Sequence, residues 1–196
     1  MHILIVAPTS REYANMVATL QRQTSLRHTY QVVCSGIGKA ASAASVATAI
    51  AKAERPFDRV VVIGFAAATL GFQQGDVVSP SVARYHDCDV PEGFIPELTD
   101  PFALAGGEDI TVFTGDSFVN AQSVAAIKSH FGAERAIFDM EITAIAIAAK
   151  QCGDVAVSAV KFVSDVPEAG HTELSYDEFA DSHSDFSPLL EVIEQM

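Results

Sequence analysis

Carboxylates standing just beyond apolar runs are the residues of this sequence best placed to do chemistry. Asp139 and Glu141 stand at the entrance of AIFDMEITAIAIAAK, Ala136 to Lys150, a segment otherwise apolar almost all round. A helix that apolar is normally buried. A carboxylate taken into such surroundings costs roughly several kcal/mol unless something answers it. Two answers are open: a first turn whose helix dipole favours negative charge, or, for Glu141, a ligand. Glu12, Asp116 and Asp165 also fall just after predicted strands, where ligands of open α/β sheets lie. Such acids can move a proton or face a developing cation. Acids at helix starts are equally ordinary capping groups, and Thr9-Ser10-Arg11-Glu12 has the capping-box pattern in which Glu12 closes the box.

The elements that must position these acids read as strands alternating with helices. Ile3–Ala7, Tyr30–Cys34 and Arg59–Gly64 are short apolar runs expected to be strands, the last β-branched and apolar on both faces. Gly75–Val78, Ser81–Tyr85, Ile110–Phe113, Ala136–Phe138 and Val155–Val163 continue the series. Helices are predicted from Thr9 or Ser10 to about Gln23, over AASAASVATAIAKA, over Ala121–Phe131, after Glu141, and over Ser184–Gln195. Pro91 to Asp109, with Pro91, Pro96, Pro101 and a Gly-Gly, reads as a long loop. The expected fold is a single-domain three-layer α/β/α arrangement over residues 1–196, with a central mixed, largely parallel twisted sheet.

Composition narrows the function. The chain has 196 residues, of which 49% are hydrophobic and 19% charged, which suits one full-sized core. A formal charge of -13 argues against nucleic acid and anionic membrane surfaces as partners. Cys34, Cys88 and Cys152 lack CxxC spacing and read as free thiols of a reducing cytoplasm. MHILIVAPTS has no basic lead for a signal peptide. The apolar run Val60–Phe72 falls short of the ~18 residues a membrane span needs.

Read in order, SGIGKAA (Ser35–Ala41), GDVVSPSVARYHDCDV (Gly75–Val90), TGDSFVN (Thr114–Asn120), DMEITAIA (Asp139–Ala146) and VSDVPEAGHTELSYDEF (Val163–Phe179) resemble the purine nucleoside phosphorylase superfamily. Within it they are most similar to the methylthioadenosine/S-adenosylhomocysteine nucleosidases, over Met1 to about Phe179. The resemblance implies cleavage of the bond between a purine and the ribose anomeric carbon, without metal or organic cofactor, in a homodimer. It implies that Asp165 protonates N7 of the base, that Glu141 binds the ribose hydroxyls with Met140 against the sugar, and that Glu12 activates a water. It further implies that Phe118 and Val119 stack on and contact the purine, and that Ile37 lines the pocket. Ala66 and Ser164 join the substrate-binding set, with Asp139, which replaces a glutamate usual in close relatives. Tyr176 stands where those relatives have a Phe near the 5′ substituent. His86, in RYHD, reads as structural.

The sequence also departs from that pattern. GFAAA, Gly64–Ala68, replaces a Gly-rich turn and narrows the approach of backbone N–H groups to an anion. Lys161 stands for an arginine expected to orient the water. The segment PEGFIPELTDPFALAGGED borders the 5′ pocket in the related enzymes, so Phe94, Ile95 and Phe102 are expected to form an apolar wall or to meet a partner chain. Hydrolysis of an adenine nucleoside such as methylthioadenosine or adenosylhomocysteine is the leading expectation. A purine nucleoside phosphorylase, a futalosine hydrolase, and a catalytically degenerate nucleoside-binding member are the alternatives.

Overall fold

A computed structural model describes residues 1–88, 90–91, 94, 100–170 and 175–196. The strands are β1 (His2–Ala7), β2 (Thr29–Cys34), β3 (Arg59–Ala68), β4 (Val77–Val78), β5 (Pro80–Tyr85), β6 (Phe102–Ala103), β7 (Glu108–Thr114), β8 (Ala136–Asp139) and β9 (Ala156–Asp165). The α-helices are α1 (Ser10–Arg22), α2 (Lys39–Lys52), α3 (Ala121–Phe131), α4 (Ile142–Gly153), α5 (Tyr176–Ser182) and α6 (Ser187–Glu194). The sheet runs β2-β1-β3-β8-β7-β5-β6, with β9 paired to β3 and β4. β3 is parallel to both β1 and β9, and β7 is parallel to β5 and β8. Antiparallel pairs join β3 to β8, β4 to β9 and β5 to β6.

Period-two alternation sorts the strand residues between two apolar layers. Leu4, Val6, Val60 and Val62 pack under α2 and α4 with Val46, Ile142, Ile145 and Ala149. Ile3, Ile5, Val61 and Ile63 face the other way, toward Met16 of α1, Phe179 of α5 and Leu189 and Ile193 of α6. Val124 and Ile127 of α3 cover Phe113 and Phe138 in a third cluster. The result is the expected α/β architecture with a mostly parallel, mixed sheet between helices.

Several boundaries move. GFAAA is not a turn: β3 continues to Ala68, because Ala66 and Ala67 still pair with β9 while Ala67 and Ala68 pair with β8. The strand expected over Gly75–Val78 shrinks to Val77–Val78. The expected loop Pro91–Asp109 contains β6, hydrogen-bonded to β5, and the start of β7. Phe102 packs against the core under a Lys150 ammonium 5.5 Å from its ring, and Phe94 is 74% exposed. Ile95 lies outside the described residues. The final helix starts at Ser187 rather than Ser184, with Pro188 in its first turn.

Candidate active site

A cavity at the carboxyl ends of β1, β3, β8 and β9 encloses about 660 Å³, its open mouth included. Glu12, Ile37, Ala66, Phe118, Val119, Asp139, Met140, Glu141, Ser164, Asp165 and Tyr176 all line it. Pro8, Thr9, Phe65, Ala67, Ser117 and Phe138 complete the wall and were not anticipated as site residues. Most of these adjoin anticipated ones, so the TGDSFVN and APTSREY stretches carried the signal in unresolved form.

Glu12 is held by local and distant groups together. Its Oε2 accepts from the Thr9 N–H at 2.8 Å and the Thr9 hydroxyl at 2.7 Å, while its own N–H reaches Thr9 Oγ1 at 3.2 Å. The capping box is therefore present. Its Oε1 accepts the Phe65 N–H of β3 at 3.1 Å. Only a glycine permits that approach, since a Cβ at Gly64 would lie 2.1 Å from Glu12 Oε1. Gly64 also has φ +126°, a region that side chains rarely tolerate.

The two acids flanking Met140 divide their work. Asp139 caps its own helix: Oδ2 accepts the Ile142 N–H at 2.9 Å and Oδ1 the Thr114 hydroxyl at 2.7 Å. Glu141 occupies the N-cap position of α4 without capping it. Its Oε1 instead accepts the Gly38 N–H at 2.9 Å, at the start of α2, beside the Asp116 carboxylate that takes the Lys39 N–H. α2, which has no side-chain cap of its own, thus receives its negative charges from two other segments. Burial is the main force raising the Glu141 pKa to about 7, helped by Asp139 and opposed by Lys161 and the Gly38 N–H.

Lys161 lines no part of the cavity. Its side chain is fully buried, with Nζ 3.8 Å from Asp139 Oδ2 and no hydrogen-bond partner among the described residues. In the sheet Lys161 stands opposite Gly64, the residue against which Glu12 packs.

Asp165 ends β9, opposite Ala67. Burial raises its pKa, and the Ser164 hydroxyl donated to Oδ1 at 2.6 Å partly opposes the rise. Phe118 is 81% exposed at the mouth, and Ile37 is 58% exposed. Tyr176 lies between Phe118 and the buried Phe65, its ring 6.1 Å from each. Phe65 also meets Phe162, Phe179 and Phe186 edge-on or stacked, which makes it the aromatic floor of the site. His86 packs over Gly115, where a Cβ would meet its Nε2 at 2.2 Å, and lines no part of the cavity.

No protein-family model matches this chain. A 5′-methylthioadenosine/S-adenosylhomocysteine nucleosidase of Haemophilus influenzae (strain PittEE) is 30% identical over 168 residues, covering 74% of this chain and 71% of that protein. The chain belongs to the 5′-methylthioadenosine/S-adenosylhomocysteine nucleosidase family. Solved members of the family superpose along almost its whole length. The Streptococcus pneumoniae nucleosidase in complex with 8-aminoadenine has a TM-score of 0.80 at 28% identity, covering 100% of this chain and 99% of that one. The Campylobacter jejuni nucleosidase has a TM-score of 0.79 at 21% identity, with 100% of both chains covered, and speaks for the fold alone.

Among the described residues, no group of His, Cys, Asp and Glu could hold a metal, and no helix is long and apolar enough to cross a membrane. The cavity suits a small organic molecule: aromatic faces, apolar walls and a few convergent polar groups.

Proposed function

We propose that this chain hydrolyses the N-glycosidic bond of an adenine nucleoside such as methylthioadenosine or adenosylhomocysteine, releasing the free base and the ribose derivative. The observation that carries the reading is the convergence of Glu12, Glu141 and Asp165, remote in sequence, on one cavity. The transition state of such a reaction is oxocarbenium-like: the departing base needs a proton and the sugar needs negative charge beside it.

The roles follow from the environments. Asp165, raised by burial, holds the proton that passes to N7 as the bond to the anomeric carbon breaks. Glu141 has one oxygen engaged by Gly38 and one for the ribose hydroxyls; ionised, it stabilises the cation more than the neutral substrate. Met140 packs on the sugar, and Phe118 and Val119 on the base. Ala66 and Ser164 border the base beside Asp165. Asp139 acts behind the ligand, since both its oxygens are taken by the protein. Glu12 keeps a free lone pair on Oε1, with which it takes the proton of the attacking water while that water's oxygen bonds the anomeric carbon.

Water rather than phosphate is the acceptor on this reading. The Thr9 and Phe65 N–H groups, which an anion would need, are donated to the Glu12 carboxylate, and a second anion there would be repelled. The enzyme is proposed to act in the cytoplasm as a homodimer. The test is incubation with methylthioadenosine, adenosine and inosine, with and without phosphate, followed by assay of free base. Release of adenine independent of phosphate is expected. Ribose-1-phosphate formation would make it a phosphorylase, and tight binding without release a nucleoside-binding protein.

A further inference from the structure

The half-buried and buried polar side chains of the cavity divide into those the protein satisfies and those it leaves open. Glu12 Oε2 is satisfied by Thr9, Asp139 by Thr114 and Ile142, and the Ser164 hydroxyl by Asp165. What remains is one lone pair on Glu12 Oε1, one oxygen each of Glu141 and Asp165, and the hydroxyl of Tyr176. That hydroxyl makes no hydrogen bond with any described residue; burial and the charges of Glu12, Glu141 and Asp177 push its pKa up to about 12, and Arg11 opposes them. It is therefore a protonated donor at neutral pH, without a protein acceptor among the described residues.

The fold does not need it. α5 is anchored by the buried Phe179, by a capping box between Ser175 and Glu178, and by a 3.0 Å ion pair from Asp181 to Arg11 of α1. The Tyr176 ring is fixed by Phe65 and Phe118 on its two sides. A phenylalanine would make the same contacts. Tyr176 lines the cavity, where a ligand acceptor can take the place of water at its hydroxyl.

On the nucleosidase reading, on which this inference rests, the other open groups are assigned: Asp165 to the base, Glu141 to the ribose hydroxyls, Glu12 to the water. The 5′ substituent, the part in which thioether and 5′-hydroxyl nucleosides differ, has no polar partner among these. We infer that the Tyr176 hydroxyl is a specificity-determining group that hydrogen-bonds a polar 5′ substituent, so that the chain accepts 5′-hydroxyl adenine nucleosides as well as thioethers. A thioether sulfur is only a weak acceptor and leaves the phenol largely unpaired, whereas a 5′ hydroxyl satisfies it. Sites built to hydrogen-bond a substrate hydroxyl discriminate strongly against the analogue that lacks it.

Adenosine and 5′-deoxyadenosine differ only in that hydroxyl, and so isolate the effect. For the wild-type chain and Tyr176→Phe, kcat/KM is measured on both nucleosides, and Kd for both by calorimetry. The wild type is expected to favour adenosine, and Tyr176→Phe to shrink the adenosine-to-deoxyadenosine ratio about tenfold, the order of one buried hydrogen bond. Thermal melts of the two proteins should coincide, because the ring contacts are kept. An unchanged ratio, or an equal fall on both nucleosides, would overturn the inference; the latter would mean that the hydroxyl serves the water or the sugar. Absence of base release from the wild type would instead sink the nucleosidase reading, and the Kd ratio would still decide the role of Tyr176.

Discussion

A neutral replacement at Glu141 should flatten the acid-side pH dependence of stability in the ligand-free protein. The residue is 4% exposed, and its pKa lies at about 7 instead of the ordinary 4.5. That displacement is worth about 3 kcal/mol. Below pH 4.5 the carboxyl is protonated in both folded and unfolded chains. Between 4.5 and 7 the unfolded chain has lost the proton and the folded chain still holds it, so each pH unit removes about 1.4 kcal/mol of stability. Above 7 both forms are ionised and the loss is complete. In Glu141→Gln the carboxamide can still accept the Gly38 N–H but has no proton to lose. Urea unfolding of both proteins from pH 4.5 to 8 isolates Glu141 and its charged neighbours, because titrations elsewhere cancel in the difference. Wild-type stability minus that of Glu141→Gln is expected to fall by about 3 kcal/mol up to pH 7 and then level off. A difference constant to within about 0.5 kcal/mol over that window would show that the burial of Glu141 has been misjudged.

Other changes probe the remaining groups. Glu12→Gln and Asp165→Asn should each lower the turnover number by at least ~100-fold with adenine release as readout; unchanged turnover in Glu12→Gln would remove that residue from water activation. Gly64→Ala forces a Cβ to 2.1 Å from Glu12 Oε1 and should cost at least ~2 kcal/mol in urea unfolding, with base release falling alongside. Lys161→Met leaves Asp139 without its buried cation and should destabilise by about 3–5 kcal/mol. Because Lys161 lowers the Glu141 pKa, the pH-dependent loss of stability in this variant should extend above pH 7, as unfolding at pH 5 and pH 8 would reveal.

Much of the fold was legible because its signals are local. The unbroken run at Arg59–Gly64 announces a strand buried on both faces, and the Thr9–Glu12 box announces the start of α1 within one residue. Ala66–Ala68 carry no such signal, since alanine fits helix, turn and strand alike; pairing with β8 and β9 made them strand. β6 owes its existence to β5 in the same way. α5 was missed although Ser175–Glu178 is a capping box like the one at Thr9, because the polar stretch around it hid a helix of only seven residues.

The site residues could be named from their motifs, but their division of labour could not. Asp139 and Glu141 are two residues apart, both at the entrance of the same apolar helix. That one caps α4 and the other reaches across to α2 depends on where Gly38 lies in space. That Lys161 is fully buried, 3.8 Å from Asp139, is likewise set by chain packing and not by its neighbours in sequence. By itself, the order of residues determined which segments are apolar enough to form the sheet and which carboxylates stand at their ends, because periodicity and capping act over a few neighbours. Only the tertiary structure decided which of those carboxylates share a cavity and which hydroxyl there lacks a partner. Burial and hydrogen bonding between distant segments set the charge and the free lone pairs of each group.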